Sequence, residues 1–139
     1  MSDDSGEKLV VNVDGGSRGN PGPAAIAAVI SSSDGEAIEE HHETIGDATN
    51  NVAEYRALLL GIESAAALGA DEVELIGDSE LIVRQVLGSY KVKDPTLRRL
   101  HGEVRRALTS FTDWSIRNVP REENAEADRL VNEALDGRA

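Results

Sequence analysis

The 139-residue sequence predicts an α/β domain, with a five-stranded mixed sheet (three antiparallel strands plus two parallel) flanked by helices. Three observations predict it. Three strand-like runs in the first third of the chain are joined by short turns, which makes an antiparallel meander. From Asn50 onward the apolar residues fall at helical spacing. The rest alternates strand, two helices, strand and helix, so the fourth and fifth strands should run parallel to the first.

Each element has its own justification. Lys8 to Asp14 (KLVVNVD) is short and β-branched and ends at a glycine-rich segment, as a strand does. Ala24 to Ser32 (AAIAAVISS) carries small and β-branched residues on both sides of the alternation, the mark of a central strand buried on two faces. Asp34-Gly35 turns the chain into Glu36 to Ile45, whose polar content predicts an edge strand. In NNVAEYRALLLGIESAAALGA the apolar positions 55, 58, 59, 62, 65 and 66 lie on one helical face, and Gly69 closes that helix. Glu72 to Gly77 alternates as a strand, and Ser79 to Leu87 is a short helix. Asp94 to Ser110 is a charged helix with Pro95 in its first turn. Asp113 to Val119 is the last strand and Glu122 to Leu135 the closing helix. Residues 1–7 are expected to be a flexible acidic tail and residues 8–139 a single domain.

The composition narrows the function classes. No cysteine is present, which excludes disulfides and thiolate metal sites and suits a cytoplasmic location. No apolar run reaches about eighteen residues, so no membrane is expected. Four aromatic residues (Tyr55, Tyr90, Phe111 and Trp114) are too few for a base-stacking platform. Twenty-six acids against fourteen basic residues give a net charge of -12, with lysine only at 8, 91 and 93. On charge alone this opposes a nucleic-acid partner, because phosphate neutralisation supplies most of such affinity. Salt at about 1 M shortens the Debye length to roughly 3 Å and would screen that repulsion. An acidic, lysine-poor surface is similar to those of halophilic archaeal proteins; an ordinary cytoplasm is the plain alternative.

Four carboxylates draw the functional reading, and each also has a structural explanation. Asp14, in VDGGSRGNPG, can simply begin a hairpin turn. Glu54 follows Asn51 by three residues, the spacing of a capping box with Asn51 as N-cap. Asp78 stands at a strand-to-helix junction, where it can cap the helix. Asp128 can be one more surface acid. Together they carry more meaning. Asp14 and Asp78 end neighbouring parallel strands and emerge at one carboxyl edge, where ligand crevices of such sheets lie. Glu54 shares a helical face with Leu58 and Gly61 and leans toward the sheet. Asp128 lies in the first two turns of the helix that follows the fifth strand. Converging carboxylates suit hard cations such as Mg²⁺ or Mn²⁺, and they repel one another without them. Two such ions about 4 Å apart would activate a water and stabilise the leaving oxygen of a phosphodiester.

At this point the sequence resembles a known family. VDGGSRGNPG, TNNVAEYRAL, IGDSELIVRQV and VPREENAEADRL are similar, in order and spacing, to the four active-site segments of type 1 ribonuclease H. The resemblance runs from about Lys8 to Leu135, and is nearest to the compact archaeal and bacterial form without a hybrid-binding domain or basic handle. It implies a ribonuclease H-like fold. It also implies metal-dependent hydrolysis of the RNA strand of RNA–DNA hybrids, giving 5′-phosphate and 3′-hydroxyl ends, by a protein expected to be monomeric. Asp14, Glu54, Asp78 and Asp128 match the family's metal-binding catalytic acids, for two divalent cations, Mg²⁺ or Mn²⁺. Asn20, Asn50 and Asn51 match minor-groove contacts, and Thr49 matches a DNA-phosphate contact. Gly15, Gly16 and Ser17 complete the expected substrate-binding set, the glycines letting backbone approach the ribose 2′-hydroxyl.

Three departures from the family pattern stand out, one being the net charge of -12, which predicts weak hybrid binding at low salt unless metal and local arginines offset it. The loop PREEN offers Arg121 where many members place a histidine, so Arg121 is expected in an auxiliary role. His41, His42 and His101 fall elsewhere and are expected to be solvated. The region around Lys91, Lys93, Arg98, Arg99, Arg105 and Arg106 is at most a reduced grip on substrate. Alternatives on the same fold are double-stranded RNA or single ribonucleotides in DNA as substrate, or a non-catalytic nucleic-acid-binding module. The module would dispense with at least one of the four acids.

Overall fold

In the first strand, β1 (Lys8–Ser17), Leu9, Val11 and Val13 enter one core while Asn12 faces the other side, the alternation that pleating imposes. The computed structural model describes residues 7–137. The expected acidic tail therefore lies outside the described residues, except for Glu7, whose carbonyl accepts from the Asp71 and Glu72 N–H groups. β1 pairs antiparallel with β2 (Gly22–Ser32), and β2 pairs with β3 (Ala37–Ala48). On its other side β1 pairs parallel with β4 (Glu72–Gly77), and β4 with β5 (Asp113–Asn118). The sheet order is β3-β2-β1-β4-β5, so the expected mixed five-stranded sheet is present.

Both faces of the sheet are covered. On one, helices α1 (Asn50–Ala67) and α3 (Pro95–Leu108) bring Tyr55, Leu58, Ile62, Leu100, Val104 and Leu108 onto Leu9, Val11, Val13, Ile30 and Leu75. On the other, α4 (Ala125–Leu135) sets Ala127, Leu130, Val131 and Ala134 on Ala25, Ala27 and Val29. This double burial explains the continuous apolar run of β2. Helix α2 (Glu80–Leu87) follows β4 and packs near β5. No helix among the described residues is long and apolar enough to cross a membrane.

Several details differ from the expectation. β1 continues three residues past Asp14, because Gly15, Gly16 and Ser17 pair with Ile26, Ala25 and Ala24. The N-cap of α1 is Thr49, whose hydroxyl oxygen accepts from Val52 N–H at 3.2 Å; Asn51 lies inside the helix, so Glu54 belongs to no capping box. Ser79, not Asp78, caps α2. The closing helix begins at Ala125, after a single 3-10 turn at Arg121–Asn124. Gly69 follows the cap residue Leu68 in the left-handed region, at φ +84°, which ends α1 as its glycine predicts.

Candidate active site

Extending the β1–β4 register by two residues places Asp14, three residues before the end of β1, beside Asp78, just past the end of β4. Helix α1 crosses β1 closely enough to bring in Glu54. That approach needs Gly15, because a Cβ there would lie 2.3 Å from the Ala53 carbonyl oxygen. The Gly15 N–H donates to the Glu54 carboxylate. One ligand oxygen from each of Asp14, Glu54 and Asp78 lies within 4.8 Å of the other two. Asp128, in the first turn of α4, approaches Asp14 from the opposite face and hydrogen-bonds with its carboxyl.

The electrostatics follow from this crowding. Asp14 is 6% exposed. Burial first, then the charges of Asp78 and Asp128 and the hydrogen bond with Asp128, push its carboxyl up to about 8, against a pull downward from Arg121. Burial, then Asp14 and Asp78, push Glu54 up to about 9, with the Gly15 N–H and Arg121 opposing. A divalent cation would relieve both groups, and the donors are hard carboxylate oxygens, so the residues fit such an ion.

The acids line an open crevice of about 550 Å³ together with Gly15, Gly16, Ser17, Asn50, Ser79 and Arg121. Asn20, Thr49 and Asn51 line a neighbouring depression of about 440 Å³, shared with Asp94 and Thr96. The two are laced together: Asn50 Oδ1 accepts from Ser17 N–H at 2.9 Å, and Asn20 Oδ1 accepts from Asn50 N–H at 3.0 Å. All twelve expected site residues thus fall in two adjoining hollows. The histidines lie elsewhere: His41, its side chain 39% exposed, is the solvated surface residue expected, whereas His42 and His101 are half-buried, a correction with a packing cause. His41 meets Glu39 at 2.7 Å, His101 meets the Gln85 carbonyl at 2.9 Å, and the Nδ1 of His42 is buried without a partner.

One further residue was not singled out from the sequence. Asn124, in the 3-10 turn, is 1% exposed and contacts both β1 and the Asp78 carboxylate. The available signal was Asn12, a lone amide inside the valine run of β1.

Hard oxygen donors gathered at the carboxyl edge of a mixed sheet define an α/β site that could hold a hard cation. Known proteins make the class specific. The family described as reverse transcriptase-like matches residues 12–134. The chain is 51% identical over 133 residues to ribonuclease HI of Halobacterium salinarum, spanning 96% of this chain and 67% of that protein. It is 45% identical to a bifunctional protein of Mycobacterium tuberculosis, but spans only 36% of that protein's length. Among solved structures, RNase H1 of Halobacterium salinarum matches with a TM-score of 0.92 at 51% identity, over 94% of this chain and 98% of that one. An RNase H1 crystallised in complex with an RNA/DNA hybrid matches with a TM-score of 0.88 at 44% identity, over 93% and 97%. The chain belongs to the ribonuclease H family.

Proposed function

We propose that this protein hydrolyses the RNA strand of RNA–DNA hybrids, leaving 5′-phosphate and 3′-hydroxyl ends. The observation that carries the reading is the trio Asp14, Glu54 and Asp78 within 4.8 Å, open to a crevice. In this reading the trio and Asp128 hold two Mg²⁺ or Mn²⁺ ions. When bound, such ions supply an activated water and neutralise charge on the leaving oxygen.

The chain's own residues do the rest. Asn20 and Asn50 spend their side-chain oxygens on backbone N–H groups, which leaves their NH₂ groups as donors for base-edge acceptors in the hybrid's minor groove. Thr49 accepts from Val52 N–H and keeps its hydroxyl hydrogen for a DNA-strand phosphate. Asn51 joins this set from the same depression. Gly16 and Ser17 border the crevice, where a ribose 2′-hydroxyl would distinguish RNA from DNA. Arg121 contributes positive charge beside Asp14 and Glu54, an auxiliary role.

The test incubates the protein with an end-labelled RNA–DNA hybrid, the same RNA as a duplex, and the RNA alone, each with Mg²⁺, Mn²⁺ or chelator at low and molar salt. Metal-dependent cutting of the hybrid's RNA strand is expected. Cutting of duplex RNA with the hybrid left intact would overturn the reading.

A further inference from the structure

Asn124, 1% exposed, is a buried polar residue beside the acids to which the proposed reaction gives no task. A buried carboxamide is costly unless its donors and acceptors are paired. Here both ends are. Its Oδ1 accepts from Asn12 Nδ2 at 3.0 Å. Its Nδ2 donates to the Val13 carbonyl at 2.8 Å and, over a longer 3.4 Å, to Asp78 Oδ2. Val13 immediately precedes Asp14, and Asn124 lies one helical turn before Asp128. One side chain therefore joins β1 at Val13 and the residue after β4 to the start of α4, the segments that carry Asp14, Asp78 and Asp128.

The direction of this amide is set chemically. Turned over, it would aim oxygen at two acceptors, the Val13 carbonyl and the Asp78 carboxylate. The donation from Asn12 favours the observed direction, since Asn12 has an NH₂ to give and Asn124 Oδ1 to receive it. Among the described residues, the Asp78 carboxylate has no other hydrogen-bond donor. It also stands at a strand end, among acids that repel it. Among the described residues, the Asn124 amide is thus the hydrogen-bond donor that ties this carboxylate to the strand ends.

We infer that Asn124, oriented by Asn12, is a positioning residue: it holds the Asp78 carboxylate against Asp14 at ligand distance before any cation arrives. The inference rests on the proposed reaction for its catalytic consequence, and on the carboxylate geometry alone for its effect on cation binding. Losing a partner that orients a ligand typically costs about 10- to 100-fold in metal affinity or activity.

The experiment titrates Mn²⁺ alone into folded Asn124→Ala, Asn12→Val and parent proteins by calorimetry, and measures kcat and KM on the hybrid. Asn124→Ala should lose about tenfold or more in Mn²⁺ affinity and in kcat, with KM within about twofold. Asn12→Val, which suits a valine-rich strand, should lose severalfold in the same two quantities. Mn²⁺ affinity and kcat within twofold of the parent in Asn124→Ala would overturn the inference, as would a rise confined to KM. If Asn124→Ala does not fold, Asn12→Val decides: unchanged Mn²⁺ affinity overturns it, and a severalfold loss supports it. A merely structural asparagine would lower the melting temperature and leave Mn²⁺ affinity alone. A parent that binds Mn²⁺ yet spares the hybrid counts against the proposed reaction only, and the titrations still judge Asn124.

Discussion

Asp14 is a carboxylate placed where few waters reach it and other acids do. Its carboxyl titrates near 3.8 in an unfolded chain and is pushed up to about 8 in the folded one. In chelator the folded chain therefore holds this proton more tightly than the unfolded chain. The sign is fixed by that difference: stability is full below about pH 4 and is lost as pH rises toward 8. Asp14→Asn removes the loss. Its expected gain over the parent at pH 8 in chelator is on the order of 1 to 3 kcal/mol, vanishing near pH 4. Urea unfolding at both pH values measures it, and cleavage of the hybrid should fall below detection. An unfolded variant, or one no more stable than the parent at pH 8, would refute the electrostatic account of the cluster.

At the scale of elements, the distance between α1 and β1 decides whether Glu54 reaches the strand ends. Gly61 sets that distance deeper in the core: a Cβ there would lie 2.7 Å from Val11 Cγ1 and 2.8 Å from Val13 Cγ1. Gly61→Ala should cost about 1 to 3 kcal/mol by overpacking, despite the better helix propensity of alanine. Urea denaturation reads the cost. Because the helix is displaced from β1, Mn²⁺ affinity should fall along with stability. A variant more stable than the parent would mean that α1 is free to shift. The helix caps at this scale were only partly legible. Thr49, Asn50 and Asn51 are all capping residue types in a row, and neighbouring contacts choose among them. Asn50 is drawn to Ser17 and Asn20, which leaves Thr49 to cap.

For the whole molecule the dominant quantity is net charge, -12, on a surface with few lysines. Among the described residues arginine supplies most of the ion pairs, for example Arg18 with Asp136 at 2.7 Å and Arg117 with Glu74 at 2.9 Å, and the excess of acid is left facing water. Such a surface repels itself and repels a polyanionic substrate unless salt screens both. Between 0.1 and 2 M KCl in chelator, the melting temperature should rise by about 10 °C or more, equivalent to roughly 2 to 3 kcal/mol. KCl is preferred to sulfate because it adds less salting-out. A flat melting temperature would remove the halophilic reading.

The sequence by itself determined the order of the elements, the mixed sheet and the four acids, because periodicity and turn residues are local signals. Four ordered motifs then pointed to one family where any single motif would have been weak. Tertiary structure decided what depends on contact across the chain. The close approach that explains Gly15 comes from Ala53 in a helix packed over the strand, and the amide that holds Asp78 lies 46 residues further along. Partners so distant leave no periodic trace in a sequence. Hydrogen-bond direction and burial appear only once β1, β4 and α4 meet at one edge of the sheet.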